Sequence, residues 1–152
     1  MSDRKIKVLA LSSAGGHWVQ LMRLKPAFEG FDVTYVTVNP GYQVDVGDAK
    51  FRVIPDGNRW DKIALFRSML GSIWLLLRER PDVVISTGAA PGYFAIRVAR
   101  LLRIRTIWVD SVANAETLSL SGQKVGRYAD LWLTQWAHLA REEGPHYRGS
   151  VL

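Results

Sequence analysis

Cysteine is missing from this 152-residue chain. Its absence excludes a disulfide scaffold, a thiolate metal site and a catalytic thiol, and it fits a reducing cytoplasm. Histidine is scarce, with three in all, and no His, Asp and Glu fall at metal-ligand spacing. Neither a metal nor another cofactor is expected. No stretch approaches the roughly 20 apolar residues that a membrane-spanning helix needs. The start, MSDRKIKVLALSSAGG, leads from a short apolar run into glycines rather than to a cleavage site, so it is not read as a secretory signal. The expected protein is soluble or peripheral. The spacings G-x-G-x-x-G, G-K-[ST] and G-x-S-x-G are absent too. That removes a dinucleotide fingerprint, a P-loop and a nucleophile elbow.

What is present is a core-forming composition. Hydrophobic residues make up 48%, enough to exclude disorder, and the length suits one domain over residues 1–152. The formal charge of +6 fits an anionic partner or plain solubility. No RNA- or DNA-binding motif and no dense basic stripe accompany it, so nucleic acid is not expected. The six tryptophans suit an interface, because indole joins an apolar body to one polar N–H.

Short apolar runs read as strands at 6–12, 31–38, 51–55, 82–86, 105–110 and 129–135. Helical spacing follows the first run through Trp18, Leu21, Met22 and Leu24, up to Pro26. Further helices are expected at 60–80, 93–104 and 121–128. Strands alternating with helices, the strands apolar throughout, predict an α/β fold: a Rossmann-like, doubly wound parallel sheet covered on both faces. Ligands of such sheets bind beyond the carboxyl ends of the strands. The loops there are 12–17, 86–92 and 110–122.

The first loop carries Ser13, Gly15, Gly16 and His17 where a strand becomes a helix. Free N–H groups at a helix start favour an anion, and glycines let a ligand approach the main chain. A neutral imidazole there can take a proton from a hydroxyl or donate to a phosphate oxygen. The bland alternative is a tight turn with a capping histidine. The second loop, STGAAPGY, offers Thr87 and Gly88 among small residues, suited to sharing a crevice with the first. The third holds Asp110, Ser111, Asn114 and Glu116. Its carboxylates suit acid–base work or sugar contacts, or else serve as loop turns, with Ser121 as a candidate helix cap. His138 and His146 lie outside the expected ligand face and read as surface residues. On the 60–80 helix, Ile63, Phe66, Met69, Leu70, Ile73, Trp74 and Leu77 form one apolar stripe. It reads first as the core-facing side of a crossover helix. Trp60, Arg67, Trp74 and Arg78 would suit an anionic membrane surface if the outer face touches lipid.

Three stretches in order, SSAGGHWVQL, ISTGAAPGYFAIRVARLLRIRTIWVDS and LSLSGQKVGRYADLWLTQW, carry a family resemblance, with HYRGSVL at the end. They resemble the membrane-recruiting subunit of the two-subunit N-acetylglucosaminyltransferase of dolichol-oligosaccharide synthesis, and still more its bacterial relatives in capsule and exopolysaccharide synthesis. The resemblance implies the N-terminal half of a GT-B glycosyltransferase. In that family a partner chain resembles the other half and binds the UDP-sugar. The half seen here docks a polyprenyl-diphosphate-linked sugar at the inner, cytoplasmic face of the membrane. The family's Gly-Gly-His falls on Gly15, Gly16 and His17, which implies acceptor or catalytic contact for them, with Asp110 and Glu116 as runners-up for the base. The chain departs from many relatives in Asp110-Ser111 for Glu-Ser, Asn114 for Arg and Trp136-Ala137 for Trp-Pro. Eukaryotic members usually begin with a transmembrane helix, and this sequence does not. Two other readings stay open: a non-catalytic recruiter of a separate transferase chain, and a self-sufficient nucleotide-binding domain of flavodoxin-like type.

Overall fold

The computed structural model describes residues 3–152. Seven strands, β1 (Lys7–Leu11), β2 (Asp32–Thr37), β3 (Lys50–Val53), β4 (Val83–Ser86), β5 (Arg105–Val109), β6 (Leu131–Thr134) and β7 (His146–Tyr147), form one sheet. Its order is β3-β2-β1-β4-β5-β6-β7, and every pairing is parallel. Four helices, α1 (Gly16–Arg23), α2 (Lys62–Glu79), α3 (Ala89–Leu101) and α4 (Leu120–Val125), cover it. This is the Rossmann-like, doubly wound architecture that the alternation of strands and helices predicts.

Both faces of the central strands are apolar, so alternate residues enter two separate cores. Leu9, Leu11, Val36, Val84 and Trp108 pack under α2, α3 and α4 through Leu75, Leu76, Ala95, Ile96, Ala99 and Val125. Val8, Ala10, Val33, Tyr35, Ile85 and Val109 pack on the other side under Trp18 and Leu21 of α1, with Phe28 and Val46 from short 3₁₀ turns. At the amino ends of the strands, Asp82 ties β4 to β1. Its carboxylate accepts from the Lys7 N–H at 2.9 Å and from Arg4 at 2.7 Å, and its own N–H donates to the Lys7 carbonyl. The Lys7 hydrogen bond and then the Arg4 guanidinium hold the Asp82 carboxyl below the ordinary aspartate range.

Several boundaries differ from expectation for identifiable reasons. α3 starts at Ala89, not 93, although Pro91 and Gly92 suggest a loop. Proline in a first turn sacrifices only an N–H that has no intrahelical partner. Ser119, not Ser121, caps α4, accepting from the Gly122 N–H at 2.8 Å. β7 has only two residues and is too short to leave a periodic signal.

The largest correction concerns α2. The residues it buries are Ser68, Ser72, Leu75 and Leu76. A Cβ added at Gly57 would lie 2.9 Å from that of Ser68, and one at Gly71 would lie 3.2 Å from the Pro55 ring. Small residues thus let α2 sit close to the 54–57 segment. Of the stripe expected to face the core, Ile63, Phe66, Leu70, Trp74 and Leu77 instead face outward at 47–75% exposure, and Met69 and Ile73 are half-buried at its edge. No helix among the described residues is long and apolar enough to cross a membrane.

Candidate functional site

The chain runs from β1 outward to β2 and β3, then crosses back through α2 to β4 on the other side of β1. The order reverses between β1 and β4, so the crevice between their carboxyl ends is the expected ligand site of a doubly wound sheet. The loops meeting there hold Gly15, Gly16 and His17 after β1, and Thr87 and Gly88 after β4.

Two reciprocal hydrogen bonds lock these loops together. His17 Nδ1 lies 3.0 Å from the Thr87 carbonyl oxygen, and the Thr87 hydroxyl donates to the His17 carbonyl at 2.7 Å. A carbonyl only accepts, so in this pairing Nδ1 carries a proton, and in a neutral ring Nε2 is then the acceptor. Gly88 lies against the same ring. A Cβ there would overlap Nδ1 and Cε1 of His17, and its φ of 141° is one that side-chain-bearing residues rarely adopt. Thr87 and Gly88 were expected to touch the ligand. Both are buried, and what they touch is His17. The structure therefore makes them the seat of the imidazole.

Gly15 and Gly16 are exposed, and a Cβ on either would meet nothing within 4 Å. Their main chain borders open space at the start of α1, which no side chain caps. Gly15 has a φ of 70° and donates its N–H to the Tyr42 hydroxyl at 3.1 Å. Tyr42 stacks on Trp18, with ring centroids 5.2 Å apart and 9° between planes, and the Trp18 N–H bonds Asp45 at 2.7 Å. The turn after β2 thus props the glycine loop, a contact that no motif announces. Ser13 is half-buried at the same loop, its hydroxyl 3.5 Å from the Ala14 carbonyl.

The third loop is built differently from expectation. Asp110 is 1% exposed and accepts four hydrogen bonds, from the Trp108 indole, the Asn114 amide, and the Ser119 N–H and hydroxyl. A carboxylate so saturated has no free lone pair directed at a substrate. Its place is the framework of the 110–119 loop, and the expectation of acid–base work is corrected on that ground. Asn114 is one of its donors. Ser111 is buried and accepts from Gln20 at 2.9 Å. Glu116 is exposed and makes no hydrogen bond or ion pair among the described residues. Nothing brings it to His17.

In the turn before α2, Arg59 sits 4.6 Å from the Trp60 ring centre, and on the outer face of α2 Arg78 sits 5.2 Å from that of Trp74. Arg67 is exposed on the same helix. Arg67, Trp74 and Arg78 recur at helical spacing on one exposed face of α2 that is both apolar and basic, and exposed Trp60 lies in the turn before it. No cluster of metal-ligating side chains occurs among the described residues.

Residues 49–151 match the family described as "Oligosaccharide biosynthesis protein Alg14 like". A mouse protein named UDP-N-acetylglucosamine transferase subunit ALG14 is 37% identical over 97 residues, covering 57% of this chain and 43% of its own. The Schizosaccharomyces pombe protein of that name is 31% identical over 83 residues, 49% of this chain and 40% of its own. The chain thus spans less than half the length of these relatives. Among solved structures, MurG of Acinetobacter baumannii superimposes with a TM-score of 0.75 at 12% identity, over 95% of this chain and 45% of its own. The UDP-N-acetylglucosamine 2-epimerase of Rickettsia bellii gives 0.69 at 14%, over 88% and 40%. At such identities the likeness is one of fold: this chain corresponds to one half of a GT-B-type molecule.

Proposed function

This chain belongs to the Alg14-like family of oligosaccharide biosynthesis proteins, and on that premise we propose that it is the acceptor-side subunit of a bipartite glycosyltransferase. A partner chain carrying the donor-binding half supplies a UDP-sugar. This chain holds a polyprenyl-diphosphate-linked sugar at the inner face of the cytoplasmic membrane. As one Rossmann-like unit over residues 1–152, it provides half of the cleft.

The observation that carries the reading is the clamped imidazole of His17. Thr87 fixes Nδ1 as a donor, and the open ground beside Gly15 and Gly16 leaves room for a ligand on the main chain. His17 Nε2 takes the proton of the acceptor hydroxyl as that oxygen attacks the anomeric carbon. The glycosidic bond forms as the bond to the UDP oxygen breaks, and UDP leaves on the partner. Gly15 and Gly16 accommodate the diphosphate or sugar at the start of α1, where unpaired N–H groups favour negative charge. The exposed loop gains a dry environment only when the partner half covers it.

The α2 surface supports the membrane part. Indoles with stacked arginines suit the boundary between acyl chains and anionic headgroups, where the rings enter the apolar layer and the guanidiniums stay with phosphate.

The experiment is sugar transfer by the reconstituted pair. His17→Ala should lower turnover by at least about 100-fold, the usual minimum for loss of a general base. The second reading, a non-catalytic recruiter, expects that variant to turn over like wild type while changes on α2 abolish membrane association. Near-wild-type turnover removes His17 from the chemistry.

A further inference from the structure

A buried amide network joins the helix that carries His17 to segments far along the chain. Gln20 lies one turn after His17 on α1 and is 4% exposed, in the middle of an apolar helix face. Its Nε2 donates to the Ser111 hydroxyl at 2.9 Å, and its Oε1 accepts from the Val112 N–H at 3.0 Å and from the Gln135 Nε2. Gln135 follows β6 and is equally buried. Its Nε2 also donates to the Asp110 carbonyl at 3.0 Å, and its Oε1 accepts from the Val151 N–H at 2.9 Å. The Val151 carbonyl in turn accepts from Arg23, the last residue of α1, at 2.8 Å. The path closes on itself: α1, Gln20, Gln135, Val151, Arg23, α1.

We propose that Gln20 and Gln135 are positioning residues for His17, and that residues 148–151 are the strap they hold in place. Two features support this. Every polar atom of both buried amides is engaged, so each amide has one orientation that satisfies its neighbours, and that orientation fixes the rotation of α1. The strap is otherwise lightly packed. A cavity of about 190 Å³ remains between it and the sheet, lined by Leu24, Val109, Leu133 and the strap itself. With little apolar contact to hold it, the segment depends on the hydrogen bonds at Val151. Releasing the Val151 N–H leaves the Gln135 Oε1 without its donor, so the amide is held only through Nε2 and its link to Gln20, and with it the setting of α1 and the His17 ring, loosens.

The inference rests on the role proposed for His17 as base, so its test has one reading independent of activity. Val151→Pro removes the N–H that Gln135 accepts and leaves the rest of the network in place. Gln135→Leu removes the link itself. In each variant the ¹⁵N signals of the His17 ring and the exchange of α1 amides are recorded on the full chain. Transfer by the reconstituted pair is then split into kcat and KM. The expected result is a changed His17 ring signal, faster α1 exchange, and kcat lowered about tenfold with KM for the acceptor retained, which a purely structural role would not produce. Unchanged His17 signals in folded Val151→Pro overturn the inference whatever the activity. Changed signals without any effect of His17→Ala on transfer uphold the positioning and discard only the chemical role.

Discussion

At the scale of single residues, the site depends on the contact between His17 and the segment after β4. A methyl group at position 88 has nowhere to go except into the imidazole. Gly88→Ala should therefore displace the ring and reduce transfer by about 100-fold, the cost of misplacing a reacting group by about 1 Å, and it should also lower the melting temperature, because alanine is strained at a φ of 141°. A variant with wild-type turnover would mean that the ring position is irrelevant. Asp110 stands at the opposite extreme. Four donors converge on its buried carboxylate, so Asp110→Ala orphans them and should destabilise the chain by about 3 kcal/mol or more. Its signature is a fall in denaturant midpoint, and loss of activity without loss of stability would return Asp110 to the chemistry. Sequence alone separates these two residues poorly. Gly-Gly-His is conspicuous at a strand end, whereas Asp110 looks equally suited to catalysis and to framing a loop until its partners are known.

At the scale of elements, α2 is the informative case. Its periodicity correctly identifies a long amphipathic helix, but not which side is inward. The usual rule places the large apolar stripe on the core. Here Ser68, Gly71 and Ser72 face inward because the helix lies so close to Gly57 and Pro55 that larger side chains would overlap. Most of the stripe from Ile63 to Leu77 is left outside, with Arg78 beside its indole, Trp74, and Arg59 beside Trp60 just before the helix. Trp74→Glu should weaken binding to vesicles containing anionic phospholipid by about tenfold or more, from the loss of one large apolar group worth about 1.5–3 kcal/mol. Co-sedimentation measures this, and the secondary structure should not change, since Trp74 is 56% exposed and lies outside both cores. Equal sedimentation of variant and wild type would direct the search for a membrane contact elsewhere. High salt should weaken binding as well, because each arginine near an anionic surface contributes about 1 kcal/mol that salt screens.

At the scale of the whole molecule, the chain corresponds to one half of a GT-B-type fold, and its candidate site is an open crevice at the strand ends. The isolated chain should accordingly bind UDP no more tightly than about 1 mM, and transfer should appear only when a donor-binding partner is added. Calorimetry with UDP decides this; tight binding by the chain alone would favour a self-sufficient nucleotide-binding domain. The fold class was legible in the sequence, since apolar strands alternating with helices admit few solutions, and the candidate crevice follows from it, since ligands of such sheets bind where the strands end. The glycines and histidine of the first loop were legible because backbone freedom and imidazole are rare at that junction. What only the tertiary structure decided were relations between distant segments: Thr87 seating His17, Gln20 meeting Gln135 across 115 positions, Val151 returning to α1, and the outward turn of α2. The physical reason is common to all four. Local sequence specifies which groups a segment offers, through backbone preference and periodicity. Which partner satisfies a buried polar group, or which side of a helix finds room, depends on the distance at which other elements come to rest.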